Sequence, residues 1–337
     1  MPLRCLDGQT SIHAFDLTPE AWKALADDNR RRRHLVMPCC AAAVTLRTSR
    51  RGTQHFAHKV IGACTTAPET EEHLRLKRIA VEVAREHGWE AETEVSHGVH
   101  WRADVLATKG DAKVAIEIQW SPQTDEETRR RQARYAAFGV RGLWLMRQRS
   151  FACNSALPAA RVCFEDGAFQ ALVPAGCDDQ RLDVRDFLGA ALAGRLHYGL
   201  PLNLPAKIAL NVGALFCWKC GAETPILSSV AIVYGPHRYR FSVADFTDRP
   251  ELFAIVRRQL PEDAGLGILK ARFSRTQERS YLSNGCAHCD ALIGEFHEHE
   301  AWDSERAVAS FAIIVDEAWH GMIAARASDG WGVYAEA

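Results

Sequence analysis

The chain has 337 residues, of which 47% are hydrophobic and 25% charged, with a formal net charge of −1. That length allows two or three domains with real cores, and the composition is that of an ordinary soluble globular protein. No run approaches the ~18 consecutive apolar residues of a membrane span, and Arg4 and Asp7 interrupt any apolar leader, so a cytoplasmic protein is expected.

The charge is unevenly placed. Residues 29–68 contain no Asp or Glu but include Arg30, Arg31, Arg32, Arg33, Arg47, Arg50, Arg51 and Lys59. Such a block suits contact with the phosphates of DNA, or else forms a solvated arm neutralised from elsewhere in the fold. The same segment holds Cys39, Cys40, His55, His58 and Cys64, a candidate second zinc set. Adjacent cysteines are awkward for one ion, so one of Cys39 and Cys40 is expected to ligate; a polar surface with small core residues is the competing reading.

Downstream the periodicity becomes regular. Residues 69–86 predict a helix with acids at its start and Leu76, Ile79, Ala80 and Val83 on one stripe, ended by Gly88. Strands follow at 90–95, 101–107 and 113–121, the last with Val114, Ile116, Ile118 and Trp120 on one face and Glu117 and Gln119 on the other, stopped by Pro122. An arginine-rich helix at 124–138 and an apolar strand at 141–146 complete the order helix, three strands, helix, strand. Asp104 and Glu117 lie on consecutive strands, and one helical turn back from Leu76 stands Glu72. Glu72, Asp104 and Glu117 are therefore candidate ligands for Mg²⁺ or Mn²⁺, an oxygen-rich set suited to phosphodiester hydrolysis. On the second helix Arg129, Arg130, Arg131 and Arg134 either line a DNA channel or pair with Asp125, Glu126 and Glu127 on a solvated face. Trp89, Trp101, Trp120 and Trp144 read as packing residues.

Eleven cysteines in a reducing compartment call for something other than disulfides. Cys217 and Cys220 form one C-x-x-C pair and Cys286 and Cys289 a second, each followed by a small turn (Gly221-Ala222 and Asp290-Ala291). Two such turns predict a structural Cys₄ zinc site with no open position, unpaired buried thiols being the alternative. The 65 intervening residues, 221–285, exceed the usual ribbon spacing and would form an excursion with strands near 226–234 and a helix near 249–259. His297 and His299 are spare ligand candidates, or surface histidines.

The run Glu69-Thr70-Glu71-Glu72-His73, then Lys77, Arg102-Ala103-Asp104-Val105 and Ile116-Glu117-Ile118-Gln119 with Ser121, resembles the competence-protein CoiA family, a branch of the PD-(D/E)XK nucleases. His55-Phe56-Ala57-His58 resembles the family's N-terminal segment, and a helix at 182–196 sits where those proteins carry a helical extension. The resemblance implies an α/β restriction-endonuclease-like core with a four-stranded mixed sheet, a divalent metal, and DNA handling in uptake, recombination or processing. It makes Asp104 and Glu117 metal ligands and Glu72 a further ligand or water-positioning acid. Gln119 stands where the superfamily usually has lysine, and His73 or Lys77 would supply the missing group. Met37-Pro38-Cys39-Cys40 departs from the Cys-Pro-x-Cys knuckle expected there.

The expected organisation is a basic segment over 1–67, a nuclease core over 68–150, a helical extension or linker over 151–210, and a Cys₄ zinc-ribbon-like module with an insertion over 211–337. Two functions follow. One is a metal-dependent deoxyribonuclease. The other is a zinc-containing DNA-binding accessory that keeps the fold without turnover because Gln119 replaces lysine.

Overall fold

The computed structural model describes residues 2–60, 64, 69–149, 151, 154–173, 180–235, 237–326 and 330–334. It divides into two compact units. One runs to Tyr198 and takes back residues near the C-terminus; the other begins at Gly199.

The first unit opens with β1 (Arg4–Asp7), β2 (Thr10–His13), α1 (Pro19–Arg32) and β3 (Leu35–Val36), then the hairpin β4 (Val44–Thr48) and β5 (Gln54–His58). Thr18 caps α1 through the Ala21 N–H, Pro19 sits at its first turn, and Arg33 ends it in the left-handed conformation. Trp22, Leu35, Met37, Val44, Phe56 and Leu74 share a small core.

The main body follows: α2 (Glu71–Glu86), β6 (Glu90–His97), β7 (Trp101–Lys109), β8 (Ala112–Gln119), α3 (Asp125–Ala137) and β9 (Arg141–Met146), each where the periodicity places it. The sheet is larger than the four strands expected. β10 (Ala159–Glu165), β11 (Ala168–Val173) and β12 (Gln180–Asp183) extend it to seven, in the order β12-β11-β10-β9-β8-β7-β6. β8–β9 and β9–β10 pair in parallel and the other neighbours antiparallel, so the sheet is mixed. The stretch read as a helical extension thus also supplies strands, and its helix α4 (Val184–Leu192) is shorter than the 182–196 expected. Phe164, Phe169 and Val173 explain why: their apolar side chains pack into the main core on one sheet face, not along a linker.

Helices α2 and α4 cover one face, burying Leu76, Ala80, Val83, Phe187 and Leu188 against Val105, Ile116 and Ile118. Tyr135 of α3 packs on the other face with Ala103, Ala115 and Trp144. With both faces covered, β8 is buried from Ala115 through Ile118, which is why its sequence is nearly continuously apolar. β13 (Leu196–Tyr198) pairs antiparallel with the strand Trp331–Val333.

In the second unit, β14 (Pro205–Phe216), β15 (Glu223–Tyr234) and β16 (His237–Phe241) precede α5 (Pro250–Arg258), β17 (Lys270–Ser274), β18 (Arg279–Gly285) and β19 (Leu292–Ile293); β20 (Arg306–Ile314) and α6 (Glu317–Arg326) complete it. β16-β15-β14-β20 form one sheet and β17-β18-β19 another. Among the described residues no helix is long and apolar enough to cross a membrane.

Candidate metal centres and acidic cleft

The two C-x-x-C pairs occupy equivalent turns. Cys217 N–H donates to the Ala222 carbonyl at 2.9 Å and Gly221 N–H to Cys217 at 2.8 Å; Cys286 N–H donates to Ala291 and Asp290 N–H to Cys286, both at 2.9 Å. Each turn needs one left-handed residue, Gly221 at φ 71° and Asp290 at φ 55°, which explains the small or Asx residue after each pair. The β14–β15 and β18–β19 connections bring these turns together: Cys217 Sγ lies 3.7 Å from Cys289 Sγ, and Cys220 Sγ 3.7 Å from Cys286 Sγ. A tetrahedral zinc with ~2.3 Å sulfur bonds sets its ligands about 3.8 Å apart, so the four sulfurs fit such an ion. Burial disfavours the Cys286 thiolate, but the His288 and Cys289 N–H groups and the neighbouring thiols outweigh it and push that thiol down to about 6. His297 and His299 stay outside this set: His297 faces Glu300 and His299 the Phe296 carbonyl.

The N-terminal set forms a second cluster. Cys39, Cys40, His58 and Cys64 place one ligand atom each within 4.8 Å of one another. Cys39 Sγ is 3.7 Å from Cys64 Sγ, and Cys40 Sγ is 3.3 Å from His58 Nε2. Both adjacent cysteines join, contrary to the expectation that only one would. The backbone gives the reason. Ala41 N–H donates to Met37 and Met37 N–H to Ala42, both at 2.9 Å, with Ala41 at φ 55°, the same turn as the C-terminal pairs. Met37 takes the place of the first cysteine and is buried in the core, and Cys39, two residues on, brings its sulfur to the cluster instead. His55 is excluded from the cluster: it is buried, and its Nδ1 donates to the Thr53 carbonyl at 3.2 Å.

The acidic cleft lies between α2 and α3, where β7 begins and β8 ends. At its centre the ammonium of Lys77, only 1% exposed, contacts Glu69, Asp104 Oδ1 at 3.0 Å and Glu94 Oε1 at 3.5 Å. Burial works against the charged amine, yet the three carboxylates hold its pKa well above the ordinary lysine value. Burial likewise opposes an ionised Asp104, but Lys77, His73 and the Ile118 N–H, which donates to Asp104 Oδ2 at 3.0 Å, hold its carboxyl well below the usual range. His73 Nε2 points at Asp104 Oδ2 (3.4 Å) and Glu69 Oε1 (3.8 Å), buried and, among the described residues, without a well-directed hydrogen bond. An orphaned imidazole nitrogen beside two carboxylates has the donor chemistry of a divalent-cation site. Glu69, His73 and Asp104 fit one.

Glu117 faces the opposite helix. It accepts hydrogen bonds from the Tyr135 hydroxyl and the Arg131 guanidinium. Burial and the charge of Asp104 together push it up to about 7 despite Arg131. Glu72 turns away to Arg51 at 3.0 Å. His73 and Lys77, four residues apart on α2, face the sheet; Glu69 precedes the Thr70 cap and meets them from the chain leading into the helix, three residues before Glu72. Gln119 donates to the Ser121 carbonyl at 2.5 Å and is not among the residues lining the cleft.

Two participants escaped sequence reasoning. Glu94 looks like an outward residue of an alternating strand, but it adopts φ 58° within β6, is 6% exposed, and grips Arg102 at 2.8 Å. A left-handed glutamate inside a strand stores strain, and such strain gathers at functional sites. Tyr135 is the other; its only sequence signal is being the one aromatic residue inside α3.

The cleft encloses about 450 Å³ and is lined by Arg102, Arg131 and Arg134 as well as the acids. Arg129 and Arg130 are exposed, the latter paired with Glu127. Arg30, Arg31 and Arg32 pair with Asp27 and Asp28 of their own helix, and Arg33 and Arg50 are exposed. If the cleft carries the phosphate path, Arg134→Gln should reduce the salt slope of DNA binding by about 0.9. Neutralising Arg30–Arg32 should cost less per residue, because their partners already compensate them. Binding titrations at several salt concentrations check this, and the reverse ranking would move the path to the N-terminal segment.

Comparison with curated protein sequences gives no match. Residues 69–163, which include every side chain lining the acidic cleft, match the family model of the competence protein CoiA, nuclease-like domain.

Proposed function

We propose that the chain is a divalent-metal-dependent nuclease that hydrolyses DNA phosphodiester bonds in this cleft. The observation that carries the reading is the convergence of Glu69, His73 and Asp104 around a buried lysine, inside the segment that matches a nuclease-like family model. Glu69, His73 and Asp104 would hold Mg²⁺ or Mn²⁺, which would polarise a phosphate oxygen and lower the pKa of water.

The chain's own residues supply the rest. Lys77, in place of a strand lysine at Gln119, keeps the carboxylates ionised and sets a fixed positive charge beside the scissile phosphate. Arg131 and Arg134 are placed to accept flanking phosphates, and Tyr135 and Arg131 position Glu117 beside Asp104. Water adds across a P–O bond, leaving one phosphomonoester and one hydroxyl. Within the same proposal, residues 69–146 act as a restriction-endonuclease-like core. The Cys₄ set and the Cys₃His set each hold a structural Zn²⁺, the first in a ribbon-like module. A place in DNA uptake or recombination belongs to the reading too.

A second reading has its own support. Arg131 and Tyr135 saturate Glu117, an arrangement equally suited to a DNA-binding protein without turnover. Incubation of end-labelled DNA with Mg²⁺ or Mn²⁺ separates the two. The nuclease reading expects metal-dependent cleavage that falls at least about a hundredfold in Asp104→Ala while binding persists. Binding with no cleavage by the unmodified protein under either metal would leave only the second.

A further inference from the structure

A line of aromatic rings leads out of the cleft. It starts at Tyr135, the partner of Glu117. Trp101 meets Tyr135 edge-on at 5.5 Å, and His97 stacks on Trp101 at 5.5 Å with planes 15° apart. Phe138 lies 4.8 Å from His97 and 5.0 Å from His100. The rings come from two elements, the tip of the β6–β7 hairpin and the C-terminal end of α3. The inner end is buried and the outer end open, with His97 and His100 exposed and Phe138 40% exposed.

A packing role accounts for Tyr135, which is buried in the core under α3. It does not account for the outer rings, which leave aromatic surface in water next to Val99 at 97% exposure. Trp101 packs partly against the same core, but that does not account for its indole N–H, buried without an acceptor among the described residues although the residue lines the cleft. A buried donor beside an open cleft is a point at which a bound molecule or an ordered water supplies the acceptor. Arg102 and Arg134 line the same cleft, so the ring surface adjoins positive charge.

We infer that this surface binds single-stranded nucleic acid, stacking unpaired bases on His97, His100 and Phe138 while the backbone crosses the arginine-lined cleft. Rings beside a cationic groove are what an unstacked strand needs: phosphates meet guanidinium groups, and base faces meet aromatic faces whatever the sequence. A duplex hides its base faces and gains nothing from the outer rings. The inference deepens the nuclease reading by naming its substrate class and rests on that reading for the position of the scissile bond, but stacking is measurable without cleavage.

The test is fluorescence anisotropy without added divalent ion, using labelled mixed-sequence single-stranded DNA, RNA of the same sequence, and the corresponding DNA duplex. One or both single strands should bind about tenfold more tightly than the duplex, and the two single-stranded arms identify the natural sugar. Phe138→Leu keeps an apolar side chain but removes the ring; it should weaken single-strand binding about tenfold and leave duplex binding unchanged. Phe138→Tyr keeps the ring and should bind like the unmodified protein, which separates lost stacking from a disturbed fold. Equal affinity for strand and duplex, or equal loss in the Leu and Tyr variants, would overturn the inference. Preserved single-strand binding with no metal-dependent cleavage would retain the surface and reject the hydrolase.

Discussion

Replacing Lys77 by Met should destabilise the first unit by about 3–5 kcal/mol, because it strips the counter-charge from carboxylates enclosed in protein. Glu94 and Glu69 are 4% and 14% exposed at their side chains, and Asp104 21%. Solvent reaches Glu69 and Asp104 only in part and Glu94 hardly at all, so water replaces the ammonium poorly. Met fills a similar volume, so the loss reports charge more than packing. Urea unfolding at neutral pH measures it, and a change below about 1 kcal/mol would show that the cluster relaxes freely. Added Mn²⁺ should restore more stability to the variant than to the unmodified protein, since a cation at Glu69, His73 and Asp104 would supply part of the counter-charge that the variant lacks. On the nuclease reading, cleavage should fall at least about a hundredfold as well.

The second large effect concerns the Cys₄ set. Cys286→Ser should remove one equivalent of zinc per chain and unfold the second unit well below the melting temperature of the first. Binding energy at a structural zinc is folding energy, on the order of 10–16 kcal/mol in small zinc modules, and here the ion would tie together turns separated by 65 residues of sequence, 221–285. Elemental analysis of freshly purified protein should find about two zinc ions, one for this set and one for Cys39, Cys40, His58 and Cys64. The variant should retain the second ion. Finding no zinc in the unmodified protein would reject both assignments. Loss of both ions in the variant would mean that the clusters do not bind independently.

Local pattern carried much of this fold into the sequence. α2, β6–β8, α3 and β9 lie within a few residues of the expected positions, because each carries a local signal: an apolar stripe in α2, alternation in β8, an acidic start and basic run in α3, and a short apolar run in β9. The extra strands of the sheet were harder to read. Ala159–Glu165 and Ala168–Val173 are short and gain their identity from pairing with β9 and with each other, a non-local interaction that no window contains. The site shows the same division. Asp104 and Glu117 stand out as acids within apolar strands. The approach of Glu69 in place of Glu72 depends on the path of the chain into the Thr70 cap as well as on which face of α2 meets the sheet, and the burial of Glu94 depends on an irregular φ; neither is encoded by residue type. Likewise, Met37 conceals the N-terminal knuckle, since the turn is recognised by its backbone hydrogen bonds and not by a cysteine at its first position.

The pairing of Leu196–Tyr198 with Trp331–Val333 has a consequence for how the protein is made. The whole second unit is synthesised between those two strands. At about 5–20 residues per second, the ribosome needs on the order of ten seconds to supply the partner strand. Throughout that interval the nascent first unit lacks the Trp331 side chain that packs into its main core and the ring that meets Tyr198 edge-on at 5.5 Å. Nascent-chain proteolysis should therefore find the region around Tyr198 open until Trp331–Val333 emerge. Truncation before Trp331 should keep that region protease-sensitive after release, even though it removes none of the residues that line the cleft.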